Sequence, residues 1–159
     1  MIRLTFTGDI LIEPEQKEAI CSHSDGFDTI FRNILSSFSL SNYIIGNLET
    51  PLAGEELVYS SHKWSFNTPD CLAESLKKAG FNLLTTANNH CLDRGKIGLL
   101  NTLKTLDRYG LEHIGTYAQK SDKEKIFIKD IGGLRFAFLS YTYGTNASLN
   151  GEYRSEERL

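Results

Sequence analysis

The sequence lacks the cysteine pattern of a disulfide framework and that of a thiolate zinc site. Its three cysteines, Cys21, Cys71 and Cys91, are far apart in the chain, and no Cys-x-x-Cys pair occurs. Disulfide-rich secreted domains carry even numbers of cysteines, and thiolate zinc sites use closely spaced pairs. The sequence therefore argues against both classes. Cys91 is interpreted as a small buried hydrophobic residue.

Long apolar runs and basic clusters are missing too. No stretch of about 18 apolar residues could span a bilayer, and the N-terminus enters a strand pattern without a signal peptide. Read literally, the sequence predicts a cytoplasmic protein. The 17 basic and 20 acidic residues give a formal net charge of −3 with no basic stripe. This charge pattern argues against a nucleic-acid partner.

The chain does contain a regular alternation of strand and helix patterns. Its 159 residues are enough for a single domain, and no repeat or linker interrupts them. Apolar alternation and short apolar runs predict four strands, near residues 2–6, 42–49, 81–87 and 112–117. Helical spacing predicts helices over 26–38 and 94–109, and another that begins at Thr68–Pro69 and stops at Gly80. This order predicts an α/β fold with a mostly parallel sheet flanked by helices.

The C-terminal part of the chain has a different pattern. Residues 125–142 read as two alternating runs joined by Gly132-Gly133, which predicts an antiparallel β-hairpin after the parallel sheet. The following residues, 144–159, contain no pattern that would complete a domain. We therefore expect the chain to be the N-terminal part of a larger domain.

Polar side chains follow three of the predicted strands where each strand ends. Asp9 ends the first strand, Asn47 and Glu49 end the second, and the third ends in the sequence Asn88-Asn89-His90. The carboxyl ends of parallel strands share one edge of the sheet, which is where α/β folds bind ligands. Carboxylate and amide oxygens with an imidazole suit divalent Mn, Fe, Zn or Mg.

Each of these residues also has a purely structural interpretation. Asp9 follows a glycine and fits a turn or a helix cap. Asn47 and Glu49 fit a turn before a proline, and the two asparagines before His90 fit a turn with left-handed residues. Asp93 fits the N-cap of the 94–109 helix. The recurrence at three strand ends favours a shared site over three separate turns.

Four segments resemble the poly-γ-glutamate capsule biosynthesis protein (CapA) family of the calcineurin-like metallophosphoesterase superfamily. They are FTGDI, NLETPL, the long block from FNTPDC to EHIGT, and FLSYTYGTN, which together run from about Leu4 to Asn146. The resemblance implies half of an αββα sandwich, so that residues 1–159 would form the N-terminal part of a CapA-type domain. It also implies a role in capsule or poly-γ-glutamate biosynthesis.

The resemblance implies a role for each residue of the predicted site. Asp9 matches a metal-binding aspartate, Asn47 or Glu49 falls on the second metal motif, and Asn89 matches a metal-binding asparagine. His90 matches the catalytic histidine that contacts the phosphoryl group, with Asp93 as its supporting acid. The cofactor implied is a divalent metal, in a mononuclear or dinuclear site.

The sequence differs from the superfamily pattern in two places. These differences leave several functional hypotheses open. Leu11 stands where the wider superfamily has a histidine, and the superfamily's later histidine motifs do not occur in this chain. One hypothesis is a metal-dependent phosphoesterase that is inactive as this fragment. Another is a non-catalytic cell-envelope component that binds an anionic polymer, and a third is a plain α/β binding module. We also expect self-association through a sheet face left uncovered.

Overall fold

The computed structural model describes residues 1–60, 64–123 and 125–146 of the chain. Four strands form a parallel sheet in the order β1-β2-β3-β4: β1 (Leu4–Ile10), β2 (Tyr43–Leu48), β3 (Leu83–Thr85) and β4 (Glu112–Ile114). Two further strands, β5 (Phe127–Ile131) and β6 (Leu134–Phe138), form an antiparallel hairpin. The predicted α/β class is confirmed, with a parallel sheet, flanking helices and a C-terminal hairpin. Residues 147–159, where the sequence shows no closing element, lie outside the described ranges.

The helices fall close to the predicted segments, with two corrections. Their bounds are α1 (Pro14–Cys21), α2 (Asp28–Phe31), α3 (Leu35–Phe38), α4 (Cys71–Ala79) and α5 (Gly95–Arg108). The single helix predicted over 26–38 is wrong, because a 3₁₀ turn at Arg32–Ile34 separates α2 from α3. The predicted start of α4 is also wrong, because the helix begins two residues later than Pro69.

Helix α1 has no counterpart in the predictions. None of its residues is buried, so its sequence carries no apolar stripe for a pattern to detect. Its start is marked in other ways: Pro14 takes the first helical position, and the Gln16 side chain accepts a hydrogen bond from the Glu13 N–H at 3.0 Å.

The two faces of the parallel sheet are covered by different partners. Ile44 and Leu84 point to the helices, where they join a buried cluster with residues of α2, α3, α4 and α5. Tyr43, Ile45 and Leu83 point the other way and pack against the hairpin. The sheet therefore lies between a helical layer and the β5–β6 hairpin.

Gly46, in the middle of β2, is required by the packing against the helical layer. A Cβ at this position would lie 2.7 Å from Ile10 Cδ1 and 2.8 Å from Phe81 Cε1, both of which belong to the core. Both distances are too short for a side chain, so the close approach of β1 and Phe81 to β2 depends on glycine here.

Polar contacts attach the hairpin to the sheet. Glu112 in β4 accepts a hydrogen bond from the Tyr43 hydroxyl at 2.5 Å and forms an ion pair with Lys129 in β5. The outer side of the hairpin and the segment after it remain exposed, including Ile128, Leu139 and Tyr141. None of the helices in the described ranges is long and apolar enough to cross a membrane.

Candidate functional site

The ends of β1, β2 and β3 bring a row of polar side chains together. Asp9 pairs with Asn47, and Asn47 pairs with Thr85 on the next strand. Asn47 Nδ2 donates to Asp9 Oδ1 at 2.8 Å, and the Thr85 hydroxyl donates to Asn47 Oδ1 at 3.1 Å. The three adjacent strands thus present one hydrogen-bonded line at the carboxyl edge of the sheet.

An irregularity in β1 sets the direction of Asp9. Between Phe6 and Asp9, β1 has one residue more than the facing part of β2, where Phe6 pairs with Ile45 and Asp9 with Asn47. Successive side chains of a regular strand alternate between faces, so Phe6 and Asp9 would point to opposite sides. The bulge turns Asp9 to the same side as Asn47, as bulges next to functional sites often do.

The two asparagines that precede His90 have different structural roles. Asn88 is buried, and its amide donates to Asn47 Oδ1 at 3.2 Å and to the Leu48 carbonyl at 2.8 Å. Its Oδ1 accepts the His90 N–H at 3.1 Å. Asn89 is exposed and lines the cleft described below. Asn88 therefore anchors the segment, and Asn89 is available to a ligand.

His90 is held by a carboxylate behind it. Its side chain is 5% exposed, and Nδ1 lies 2.7 Å from Oδ2 of Asp93, whose side chain is 3% exposed. The same Oδ2 accepts the Phe66 N–H at 2.8 Å, and the Phe66 ring packs edge-on against the imidazole with centroids 4.6 Å apart. An ionised carboxylate can only accept, so this contact favours the proton on Nδ1 and orients the imidazole with Nε2 as its other nitrogen.

Burial raises the pKa of the Asp93 carboxyl, although the hydrogen bonds from Phe66 and His90 partly offset this effect. Asp93 is not the N-cap of α5, because Arg94 occupies that position. Asp93 instead joins the segment that carries Phe66 to the one that carries His90.

Asp9, Glu49, Asn89 and His90 line a single cleft of about 750 Å³. Five further residues complete its lining: Leu11, Glu13, Trp64, Phe66 and Asn146. Asn47 is not among them, and its Oδ1 already accepts hydrogen bonds from Thr85 and Asn88. The structure therefore brings four of the predicted site residues to the cleft and places Asn47 and Asp93 in supporting positions.

The acidic side of the cleft is formed by two carboxylates in contact. Burial raises the pKa of Glu49, and so do the hydrogen bond and the negative charge of Asp9. Glu13 adds a third carboxylate to the lining, and the described lining residues include no lysine or arginine. The cleft is thus a concentration of negative charge with an imidazole at one side.

The donor chemistry of the cleft fits a hard or borderline divalent cation. Carboxylate and amide oxygens are the ligands that such ions prefer, and the Asp9–Glu49 contact brings two carboxylates together. Within the described ranges, however, no three His, Cys, Asp or Glu side chains lie close enough together to hold a metal ion. The type of donor therefore fits such a cation, whereas the described His, Cys, Asp and Glu side chains do not by themselves form a cluster that could hold one.

Several lining residues were not predicted from the sequence. Asn146 N–H donates to the Asn89 carbonyl at 2.8 Å, so the segment after β6 closes against the Asn89–His90 segment. No spacing rule links positions that far apart, and only the FLSYTYGTN resemblance contained this residue. Trp64 and Phe66 lie between β2 and α4, in a part of the sequence for which no strand or helix is predicted.

A model of a known family matches almost the whole chain. The match covers residues 3–158, and the family is described as bacterial capsule synthesis protein PGA_cap. The chain belongs to this family. The resemblance found in the sequence is therefore confirmed.

Two curated relatives support the assignment. The chain is 28% identical over 144 residues to the capsule biosynthesis protein CapA of Bacillus anthracis, an alignment that covers 89% of the chain and 34% of the relative. It is equally identical over the same length to the PGA biosynthesis protein CapA of Bacillus subtilis, covering 89% and 37%. The chain thus spans about a third of the length of the curated relatives it matches.

Proposed function

We propose that this chain is a metallophosphoesterase-like protein of capsule biosynthesis, whose cleft binds a divalent cation and the phosphoryl group of a phosphoester. The observation that carries the proposal is the meeting of Asp9, Glu49, Asn89 and His90 at one cleft at the carboxyl edge of the sheet. The role in capsule biosynthesis is supported by the family and by the names of the two relatives. By the same reasoning, we place its action at the cell envelope.

Asp9, Glu49 and Asn89 would hold the cation, which could be Mn²⁺, Fe, Zn²⁺ or Mg²⁺ in a mononuclear or dinuclear site. The contact network favours Glu49 over Asn47 as a ligand, because the Asn47 oxygen already accepts two hydrogen bonds. When bound, such an ion neutralises a phosphoryl group and lowers the pKa of a coordinated water.

His90 and Asp93 would form the proton-transfer pair. Asp93 holds Nδ1 of the imidazole, which leaves Nε2 to serve a ligand in the cleft. A histidine oriented in this way can donate a proton to a leaving oxygen as a general acid. Phe66 packs against the ring and restricts its movement.

The alternative, direct binding of an anionic polymer without chemistry, is opposed by the charge of the cleft. Asp9, Glu13 and Glu49 would repel a polyanion, since like charges at short range destabilise a complex. A bound cation would offset this repulsion. Binding of an anionic polymer in the cleft would therefore also require the cation.

We also propose that the 159-residue chain hydrolyses phosphoesters slowly or not at all by itself. The supporting observation is the incomplete donor set, because a cation with few protein ligands is weakly held and activates water poorly. Rapid Mn²⁺-dependent hydrolysis of bis(p-nitrophenyl) phosphate by the purified chain, lost in His90→Ala, would contradict this part.

Phosphorus NMR tests the binding proposal. Paramagnetic Mn²⁺ in the cleft should broaden the ³¹P signal of methyl phosphate, and Asp9→Asn should reduce that broadening to the level of Mn²⁺ in buffer. Asp107→Asn is the matched control, because Asp107 is exposed and lies outside the cleft. Equal broadening by the wild type and by Asp9→Asn would overturn the proposal.

A further inference from the structure

One wall of the cleft carries a large side chain that the phosphoryl chemistry does not explain. Trp64 lines the cleft, yet the residue is 75% exposed. Its backbone has φ of +72°, in the left-handed region that bulky residues rarely adopt. An exposed indole on a strained backbone is unfavourable in two ways, and such strain persists where the surrounding structure enforces it.

Hydrogen bonds of Asn67 anchor the chain that follows Trp64. Ser60 N–H donates to the Asn67 carbonyl at 3.0 Å, and Asn67 N–H donates to the Ser60 hydroxyl at 2.6 Å. The Asn67 amide also donates to the carbonyls of Gly54 and Val58. These contacts fix Asn67, which lies shortly after Trp64 in the chain, against Ser60, Gly54 and Val58.

The guanidinium of Arg94 holds the loop next to Trp64. Its Nε donates to the carbonyls of Leu57 and Val58 at 3.0 and 3.1 Å, and Nη1 donates to the Ser65 hydroxyl at 2.6 Å. On the other side of Ser65, Phe66 is anchored to Asp93. Ser65 and Phe66, the two residues that follow Trp64, are therefore held by Asp93 and Arg94, which lie close to His90 in sequence.

The cleft has more room than a phosphoryl group occupies. Pockets of about 300–1,000 Å³ typically enclose ligands with several rings or chain units, and this cleft measures about 750 Å³. The carboxylates, Asn89 and His90 form the polar side, whereas Trp64 supplies a flat apolar surface. Rigid aromatic side chains of this kind are common anchors in binding sites.

We propose that Trp64 is a ligand-binding residue whose indole stacks on a ring in the alcohol portion of the phosphoester. This inference rests on the proposed function, since the phosphoryl group is what places the ring near the indole. It goes further by naming the substrate class: phosphoesters whose alcohol carries a ring, in preference to those of short acyclic alcohols.

Calorimetry with two simple esters tests the proposal on the 159-residue chain at saturating Mn²⁺. Phenyl phosphate and methyl phosphate share the phosphoryl group, and only the first has a ring. Stacking predicts that the wild type binds phenyl phosphate about tenfold more tightly than methyl phosphate. In Trp64→Leu the ratio should fall to about one or two, and in Trp64→Phe it should be intermediate.

A second measurement and a control accompany the affinity ratio. Trp64 is the single tryptophan of the chain, so a change in its fluorescence on adding phenyl phosphate reports the stacking directly. Tyr141→Leu removes another exposed aromatic ring, one outside the cleft lining, and should keep the wild-type ratio.

The outcomes separate this proposal from the proposed function. If the wild type binds both esters equally, or if Trp64→Leu keeps the preference, the role of Trp64 is wrong while phosphoryl binding stands. If neither ester binds in the presence of Mn²⁺, both proposals are wrong.

Discussion

Asp93 connects two segments through a single carboxylate oxygen. That oxygen accepts hydrogen bonds from His90 Nδ1 and from the Phe66 N–H, and the side chain is almost fully buried. A buried donor left without an acceptor costs the full penalty of its lost solvation. Asp93 thus contributes to folding as well as to the orientation of His90.

We predict that Asp93→Ala lowers the free energy of unfolding by about 2–3 kcal/mol, because the Phe66 N–H and His90 both lose their acceptor. Asp93→Asn should cost less, since an amide oxygen can still accept one of the two hydrogen bonds. Urea denaturation measures both. Asp107→Ala, which removes an exposed carboxylate 3.1 Å from His113 Nε2, should change the stability by less than about 1 kcal/mol. An equally small effect of Asp93→Ala would show that the pair is not structural.

At the scale of single residues, the sequence indicates the chemistry of the site but not which side chains face the ligand. Asn88 and Asn89 are identical in type and adjacent, yet one anchors the chain and the other lines the cleft. Asp9 faces Asn47 because of the bulge in β1, and the local sequence pattern does not predict a bulge at that point. The orientation of these side chains depends on contacts with neighbouring strands, which the local sequence does not determine.

The parallel strands and α5 follow from local patterns because they lie in the core, where apolar spacing is strict. Leu83 and Leu84 are fully buried on opposite faces, and Leu103 and Leu106 share the buried side of α5. Helix α1 buries no residue and so has no such pattern. The break at Arg32–Ile34 escapes prediction because Phe31 and Phe38 keep a helical spacing across it.

The contact between β4 and the hairpin should depend on pH. Burial alone would raise the pKa of Glu112, but the hydrogen bonds from Lys129 and Tyr43 and the charge of Lys129 lower it overall. A carboxyl whose pKa is lower in the folded state stabilises the fold above its unfolded pKa. That stabilisation is lost as the pH falls through the folded value.

We therefore predict that Glu112→Gln is less stable than the wild type at pH 7 by roughly 0.5–1 kcal/mol, the range expected for a partly exposed ion pair. The difference should shrink as the pH falls through the lowered pKa of Glu112, because the wild-type carboxyl then becomes protonated. Thermal melts of both proteins across this pH range provide the measurement. A constant difference at every pH would mean that the charge of Glu112 is unimportant.

At the scale of the whole molecule, apolar residues are exposed on the hairpin, on the segment after it and on the edge strand β1. Ile128, Leu139 and Tyr141 are 54–81% exposed, and Phe6 on the edge strand β1 is 65% exposed. Exposed apolar residues on an edge strand and on a sheet face favour association with another chain. The self-association expected from the sequence remains a prediction.

We predict that the 159-residue chain forms dimers or larger species through the outer side of the hairpin. Sedimentation velocity should show a concentration-dependent increase in mass, which the double change Ile128→Glu and Leu139→Glu reduces. The control is Ile97→Glu, which alters an exposed apolar residue on α5 instead. A monomer at all concentrations would contradict the prediction.

The proposed function depends above all on the binding of a divalent cation in the cleft at the carboxyl edge of the sheet. Its most direct test is the binding of Mn²⁺ by the purified chain, with free Mn²⁺ counted by electron paramagnetic resonance. We predict saturable binding that Asp9→Asn and Glu49→Gln each weaken at least tenfold, whereas Asp107→Asn and Glu15→Gln, outside the cleft, leave it unchanged. Absence of saturable binding to the wild type, or equal binding by Asp9→Asn, would contradict it.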